Sequence, residues 1–211
     1  MPKIVVLRHG KSLWNEENRF TGSKNPDLTS KGEDEAREAG VILRQATDIQ
    51  LTQVFSSTQL RANRTAEIAL NVAGLNSLFL HMVRAKELNE RDYGDLTGLN
   101  KKETAQKHGE EQVRIWRRSY DIAPPNGESL KDVVEKRVRP YYESDIKKYL
   151  EKKEDVLVAA HGNSIRALFI AVGAETPETV VDADLPTGVP IVLEMDNDLK
   201  FVERYTLKLA A

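Results

Sequence analysis

Apolar residues recur along this chain in short runs that are rich in β-branched side chains. Runs of this length and composition are typical of β-strands. We therefore predict strands at residues 4–7, 53–56, 156–160, 191–194 and 201–206, with a weaker sixth at 79–83. The runs at 4–7 and 156–160 are apolar at nearly every position, which indicates strands covered on both faces of a parallel sheet.

Two stretches between these strands carry apolar residues at helical spacing. Ser30 and Glu33 form the pattern of a capping box, and we predict that a helix begins there. Its apolar positions are Ala36, Ala39, Ile42 and Leu43. Ser129 and Asp132 form the same pattern before a second, longer helix with apolar residues at positions 134, 138, 142 and 146. Pro140 should bend or split that helix.

Strands that alternate with helices predict a three-layer α/β/α sandwich around a largely parallel central sheet. Residues 1–211 contain no repeat and no low-complexity linker, so we expect a single domain. In open sheets of this kind, ligands bind beyond the carboxyl ends of the central strands. The residues that follow those strands are therefore the first candidates for a functional site.

Charge and cysteine content narrow the possible functions. The chain carries 31 Lys and Arg against 33 Asp and Glu, a balance that argues against a nucleic-acid-binding protein. There is no cysteine, which excludes disulfides, thiolate metal sites and a cysteine nucleophile. No apolar stretch is long enough to cross a bilayer and no signal peptide follows Lys3, so we expect a cytoplasmic protein without a membrane partner.

Two of the four histidines follow predicted strands directly. His9 comes after the strand at 4–7, and His161 comes after the strand at 156–160. Because parallel strands end at the same edge of a sheet, we expect these two imidazoles to lie side by side. Each histidine taken alone could simply bond a loop, but this is a poor explanation for both. His81 and His108 are better read as structural residues.

Basic residues are expected at the same edge. Arg8 precedes His9, Arg61 follows the strand at 53–56, and Arg166 lies on the predicted helix after His161. Guanidinium groups and a helix N-terminus both suit a phosphoryl group. Residues 10–12 resemble the end of a phosphate-binding P-loop, but Val5 stands where that motif needs glycine, so a nucleotide site is not supported. A metal site is not supported either, because the histidines lack helical ligand spacing.

Two histidines, several arginines and no metal fit phosphoryl transfer through a phosphohistidine. A neutral imidazole would attack phosphorus, cations would bind the phosphoryl oxygens, and a carboxyl group would carry the proton of the leaving oxygen. The covalent intermediate divides one difficult displacement into two easier ones.

Several motifs resemble those of a known family. Arg8-His9-Gly10 is similar to the signature of the histidine phosphatase superfamily. The stretches at 88–94, 115–121 and 127–132, which read LNERDYG, IWRRSYD and GESLKD, resemble the 2,3-bisphosphoglycerate-dependent phosphoglycerate mutases more specifically. The similarity extends over nearly the whole chain, and the chain resembles the short form of the family. The resemblance therefore implies a phosphoglycerate mutase-like fold.

The resemblance also implies a role for individual residues. His9 would be the phosphorylated nucleophile, Glu90 the proton donor and acceptor, and His161 a group that stabilises the phosphoryl group. Arg8 and Arg61 would complete the catalytic set. The implied substrate-binding residues are Ser12, Asn15, Thr21, Gly22, Arg91, Tyr93, Lys101, Arg117, Arg118, Gly162 and Asn163.

The implied reaction interconverts 3-phosphoglycerate and 2-phosphoglycerate, with 2,3-bisphosphoglycerate as primer and no metal. Two alternatives stay open: a phosphomonoesterase that releases phosphate to water, and a non-catalytic module that binds a phosphorylated ligand. Lys101, Arg117 and Arg118 favour the mutase, because they provide positive charge for a carboxylate and a second phosphate. The resemblance leaves open whether the protein forms a homo-oligomer.

Overall fold

A computed structural model describes residues 1–209 and shows a six-stranded sheet between two layers of helices. The strands are β1 Lys3–Arg8, β2 Leu51–Ser56, β3 Val83–Arg84, β4 Asp155–Ala160, β5 Pro190–Met195 and β6 Phe201–Thr206. Their order in the sheet is β3-β2-β4-β1-β5-β6. The first four strands of that order run parallel, while β5 is antiparallel to both of its neighbours. The expectation of a largely parallel sheet is confirmed.

Ten α-helical segments occur in the described residues. They are α1 Leu13–Glu16, α2 Ser30–Gln45, α3 Leu60–Ala73, α4 Asn76–Leu80, α5 Lys101–His108, α6 Glu110–Arg118, α7 Leu130–Val133, α8 Arg139–Tyr141, α9 Lys147–Glu151 and α10 Gly162–Ala171. Short 3₁₀ turns lie at Lys86–Leu88, Gly94–Leu96 and Val180–Asp182. None of the helices in residues 1–209 is both long and apolar enough to span a membrane.

The two faces of the central strands bury different sets of side chains, as their unbroken apolar sequence predicts. Ile4 and Val6 of β1 pack with α7 to α10 on one face, whereas Val5 and Leu7 pack with α2 and α3 on the other. Alternate residues of one strand therefore enter two separate cores. This confirms the three-layer α/β/α sandwich.

The predicted start of α2 is off by one residue. Thr29 is the N-cap, and its Oγ1 accepts a hydrogen bond from the Gly32 N–H at 3.1 Å. Ser30 is exposed in the first turn, and Glu33 forms an ion pair with Arg64 instead of closing a capping box. Both Thr29 and Ser30 are good capping residues, so only the path of the chain decides between them.

The weak strand predicted at 79–83 is wrong over most of its length. Its first residues belong to α4, and only Val83 and Arg84 pair with β2. Leu78 and Phe79 pack on the core while Leu80 is 78% exposed, which is the pattern of a short amphipathic helix. A short apolar run does not distinguish a strand from a helix turn.

The long helix that begins after Ser129 continues past Pro140. The predicted capping box is present: Ser129 Oγ accepts from the Asp132 N–H, and the Asp132 carboxylate accepts from the Ser129 N–H. Two π-helical turns, Val134–Val138 and Tyr142–Ile146, flank Pro140. Their wider turns keep apolar residues spaced by four on the same buried face, and all four of those positions are buried.

Candidate active site

The two strand-end histidines lie together at the carboxyl edge of the sheet. β1 and β4 are parallel neighbours, with Arg8 opposite Ala160, so His9 and His161 leave the sheet side by side. Their ring centroids are 5.0 Å apart and both side chains are buried. The expected pairing of the imidazoles is therefore present.

Hydrogen bonds define the tautomer of His9. The Arg61 Nε–H donates to Nε2 of His9 at 3.3 Å, and Nδ1 of His9 lies 2.7 Å from the Gly10 carbonyl oxygen. Because a guanidinium can only donate, Nε2 carries the lone pair and Nδ1 carries the proton. Burial, and then the charges of Arg61 and Arg8, lower the pKa of His9 well below its ordinary value. The ring is a neutral imidazole with its nucleophilic nitrogen at Nε2.

His161 is neutral for the same reasons. Its Nε2 lies 2.8 Å from Ser57 Oγ, and its buried Nδ1 has no hydrogen-bond partner in the described part of the chain. Burial, followed by the charges of Arg61 and His9, lowers the pKa of His161 well below its ordinary value. A buried ring nitrogen without a partner beside His9 can bond a phosphoryl oxygen without displacing another contact.

Arg61 is fully buried in the first turn of α3. Besides His9, its guanidinium reaches the carbonyl oxygens of Lys24 at 2.9 Å and Gly22 at 3.5 Å. Burial lowers its pKa to about 10, which leaves the group positively charged at neutral pH. Gly22 has φ of +51°, a conformation that favours glycine, and it turns its carbonyl toward this arginine.

Glu90 lies on a loop across from α10. One carboxylate oxygen, Oε1, accepts from the Arg91 N–H at 2.7 Å and from the backbone and side-chain N–H groups of Asn163 at 3.2 and 3.1 Å. The backbone N–H of Glu90 donates to Gln59 Oε1 at 2.8 Å. These contacts hold the carboxylate at the N-terminus of the helix that follows His161.

A cavity of about 210 Å³ opens beside Glu90 and Gly162. Ten of the sequence-predicted site residues line it: Arg8, Asn15, Thr21, Glu90, Tyr93, Lys101, Arg117, Arg118, Gly162 and Asn163. Burial and neighbouring arginines lower the pKa of Lys101, and burial does the same for Arg117. Concentrated positive charge against one carboxylate suits a small polyanion.

Other sequence-predicted residues lie behind the cavity wall. Ser12 is buried as the N-cap of α1, where it bonds Asn15. Arg91 is also fully buried: its guanidinium donates to the carbonyl oxygens of Trp116 and Arg117 and lies 4.7 Å from the centroid of the Tyr93 ring. Arg91 therefore holds the C-terminal end of α6, which carries Arg117 and Arg118 into the cavity.

Three residues of the site were not predicted from the sequence. Arg19 lines the cavity, Ser57 contacts His161, and Gln59 bonds both Glu90 and Arg61. Arg166, which the sequence placed at this edge, also lines the cavity. Ser57 and Gln59 follow the buried strand β2, and that position at the carboxyl edge of the sheet was the available signal.

One loop supplies backbone partners to three arginines of the cavity. Arg118 donates to the Val181 carbonyl, Arg166 to those of Val180 and Ala183, and Arg8 to that of Leu185. The same arginines border a larger groove of about 710 Å³ on the side of this loop. The segment 180–185 thus sets the direction of the guanidinium groups that face the cavity.

No group of three or more His, Cys, Asp or Glu residues within positions 1–209 is arranged to hold a metal ion. The site has several groups that can act on a phosphorylated ligand. It offers an unprotonated imidazole nitrogen, a second neutral imidazole, a carboxylate and converging cations. This set can transfer a phosphoryl group to and from a buried histidine.

Comparisons with known proteins agree with this chemistry. The model of the histidine phosphatase superfamily (branch 1) matches residues 4–208. A 2,3-bisphosphoglycerate-dependent phosphoglycerate mutase of Caulobacter sp. (strain K31) is 47% identical, over 95% of this chain and 92% of its own. A phosphoglycerate mutase of Schizosaccharomyces pombe is 48% identical, over 96% of this chain and 95% of its own.

Solved structures share the fold. A mycobacterial glucosyl-3-phosphoglycerate phosphatase superposes with a TM-score of 0.81 at 24% identity, covering 98% of this chain and 97% of that one. Bacillus stearothermophilus YhfR superposes with a TM-score of 0.79 at 25% identity, covering 96% of this chain and 95% of that one.

Proposed function

Because this chain belongs to branch 1 of the histidine phosphatase superfamily, we propose that it interconverts 3-phosphoglycerate and 2-phosphoglycerate through a phosphohistidine on His9. The mutases named above support this choice, since each covers nearly the whole chain at close to half identity. The observation that carries the proposal is the buried, neutral pair of His9 and His161 beside a cationic cavity that contains Glu90.

His9 acts as the nucleophile. The lone pair of Nε2 attacks phosphorus, and the N–P bond forms as the P–O bond to the departing oxygen breaks. The Gly10 carbonyl holds the proton on Nδ1 and stabilises the positive ring that forms. The N–H groups of Arg61 and Arg8 and Nδ1 of His161 then bind the phosphoryl oxygens, where negative charge is concentrated in the transition state.

Glu90 carries the proton. When the phosphoryl group moves to His9, the protonated carboxyl group donates to the departing oxygen. In the reverse direction the carboxylate takes the proton of the substrate hydroxyl as that oxygen attacks phosphorus. Its contacts with Asn163 and Arg91 hold the carboxylate at the cavity.

The cations that line the cavity hold the substrate. Arg8, Lys101, Arg117 and Arg118 face this cavity, and Glu90 is the single carboxylate among the described residues that line it, so the four cations match a ligand with a carboxylate and two phosphates. Bound 2,3-bisphosphoglycerate would supply the first phosphoryl group of His9, and these four residues would hold it. A simple phosphatase would not need this excess of positive charge. Residues 1–211 would act as one catalytic domain. Because the proposed reaction belongs to glycolysis, the protein would act in the cytoplasm.

A coupled assay tests the proposal. We expect 2-phosphoglycerate to form from 3-phosphoglycerate when 2,3-bisphosphoglycerate is present, and mass spectrometry to show one acid-labile phosphoryl group on His9. His9→Ala should abolish both signals. His81→Ala is the matched control, because the His81 side chain is exposed, does not line the cavity, and has its Nδ1 2.8 Å from the Ser77 carbonyl oxygen. Release of inorganic phosphate without 2-phosphoglycerate would make the protein a phosphatase instead.

A further inference from the structure

Glu90 lies on an irregular segment between the 3₁₀ turns Lys86–Leu88 and Gly94–Leu96. A group that transfers protons must be held closely, because a displacement of about 1 Å can cost about 100-fold in rate. The local hydrogen bonds of the carboxylate fix its end, but the backbone that carries it needs support from elsewhere. Two charged residues outside the cavity provide that support.

Arg137 binds the backbone just before Glu90. Its Nη1 group lies within hydrogen-bonding distance of three carbonyl oxygens, at 3.3 Å from Lys86, 3.1 Å from Glu87 and 3.2 Å from Asn89. The side chain is 19% exposed, so these bonds are largely shielded from water. One guanidinium nitrogen thus contacts three backbone carbonyls in the four residues that precede Glu90.

Glu128 binds the backbone just after Glu90. Its Oε2 accepts from the Asp92 N–H at 2.9 Å, and its own N–H donates to the Asp92 carbonyl at 2.9 Å. Arg137 holds the same carboxylate with both sides of its fork, Nε to Oε1 at 2.9 Å and Nη2 to Oε2 at 2.8 Å. The bidentate pair therefore joins the segment before Glu90 to the segment after it.

Two glycines let the chain segments approach this closely. A Cβ on Gly94 would lie 2.1 Å from the Pro125 carbonyl oxygen, and one on Gly127 would lie 2.8 Å from the Asp92 carbonyl oxygen. The Gly94 φ of +53° is also a conformation that other residues rarely adopt. The turn at 124–127 is therefore packed directly on the segment that follows Glu90, and this turn leads into Glu128.

Arg137 lies in the π-helical turn Val134–Val138. Val134 and Val138 are fully buried at the two ends of that turn, which anchors the backbone on either side of Arg137. π-Turns are uncommon within helices and often occur where a side chain serves a site. This turn places Arg137 against the Glu90 segment.

We propose that Arg137 and Glu128 are positioning residues that clamp the Glu90 segment from both sides and so align the Glu90 carboxylate for proton transfer. The inference rests on the proposed function, in which Glu90 carries the proton. Neither residue lines the cavity beside Glu90 and Gly162; both border a second groove of about 570 Å³, which Glu90 also lines.

A double-mutant cycle between Arg137 and Glu90 tests the clamp. We expect Arg137→Met to lower kcat of the mutase reaction by about 10- to 100-fold, with KM changed less than about twofold. In a Glu90→Gln background the same change should lower kcat by less than about twofold, because the carboxylate to be aligned is gone. Arg139→Met is the control, since Arg139 pairs only weakly with exposed Glu135 on the same helical run.

The double-mutant cycle also distinguishes failure of the clamp from failure of the proposed function. An equal loss from Arg137→Met in both backgrounds, or no loss in the native enzyme, would overturn the clamp. Full activity of Glu90→Gln alone would instead overturn the proton-transfer role in the proposed function. If Arg137→Met does not fold, Arg137→Lys and Glu128→Gln replace it in the same cycle. Arg137→Lys keeps the charge without the fork, so its full activity would show that charge, not alignment, is what matters.

Discussion

The imidazole rings of His9 and His161 lie 5.0 Å apart between centroids, with an angle of 56° between their planes. Neither ring is exposed, and positive guanidinium groups lie nearby. A positive charge on one ring would repel a positive charge on the other, and neither charge would be solvated by water. The pair therefore favours the neutral state that a nucleophile and a phosphoryl-oxygen ligand require.

This pairing makes stability depend on pH. Both pKa values are lowered in the folded protein, so below about pH 6.5 the unfolded chain binds more protons than the folded one. Stability should fall as the pH decreases from there, by about 1.4 kcal/mol per pH unit for each histidine. We expect the unfolding free energy of His161→Gln, measured by denaturant titration at a series of pH values, to depend less steeply on pH than that of the native protein. The difference in slope should correspond to about one proton. An unchanged slope would contradict a neutral His161.

Thr29, not Ser30, should cap α2. Thr29→Ala removes the acceptor of the Gly32 N–H and should lower the free energy of unfolding by about 1 kcal/mol. Ser30→Ala is the matched control and should change it by less than about 0.5 kcal/mol, because Ser30 is exposed. Urea denaturation of the two variants decides between the neighbouring residues, and a larger loss in Ser30→Ala would refute the assignment.

Lys101 should contribute binding energy for the anionic substrate. Lys101→Met removes a charged donor from the cavity and should reduce kcat/KM for 3-phosphoglycerate by about 10- to 100-fold. Lys102→Met, at the exposed neighbouring position, should leave kcat/KM nearly unchanged. Steady-state kinetics of both variants measure the difference, and equal effects would show that the cavity is not where the substrate binds.

Arg166 should hold the loop at 180–185. Its guanidinium donates to the carbonyls of Val180 and Ala183 and also to that of Gly162 at the start of α10. We expect Arg166→Met to speed amide hydrogen exchange in the loop and to raise KM by about tenfold, since Arg118 and Arg8 then lose their fixed partners. Arg37→Met, which breaks only exposed pairs on α2, should do neither.

The strands and the chemistry at their ends were predictable from the sequence. The runs around Val5 and Leu157 are apolar at successive positions because they are buried on both faces, and this signal is local. His9 and His161 follow those runs, so their juxtaposition required only that the two strands be parallel neighbours. Errors arose where local signals were ambiguous, as between Thr29 and Ser30 or in the short apolar run of α4.

The sequence by itself thus determined the layered fold, the histidine pair and the set of cations available for an anion. Only the tertiary structure decided how those cations are used: Arg91 is buried behind α6, Arg166 holds a loop, and Arg137 supports the Glu90 segment. The physical reason is that their partners are backbone carbonyls distant in the chain. Any residue offers a carbonyl, so no side-chain pattern in the sequence marks these contacts.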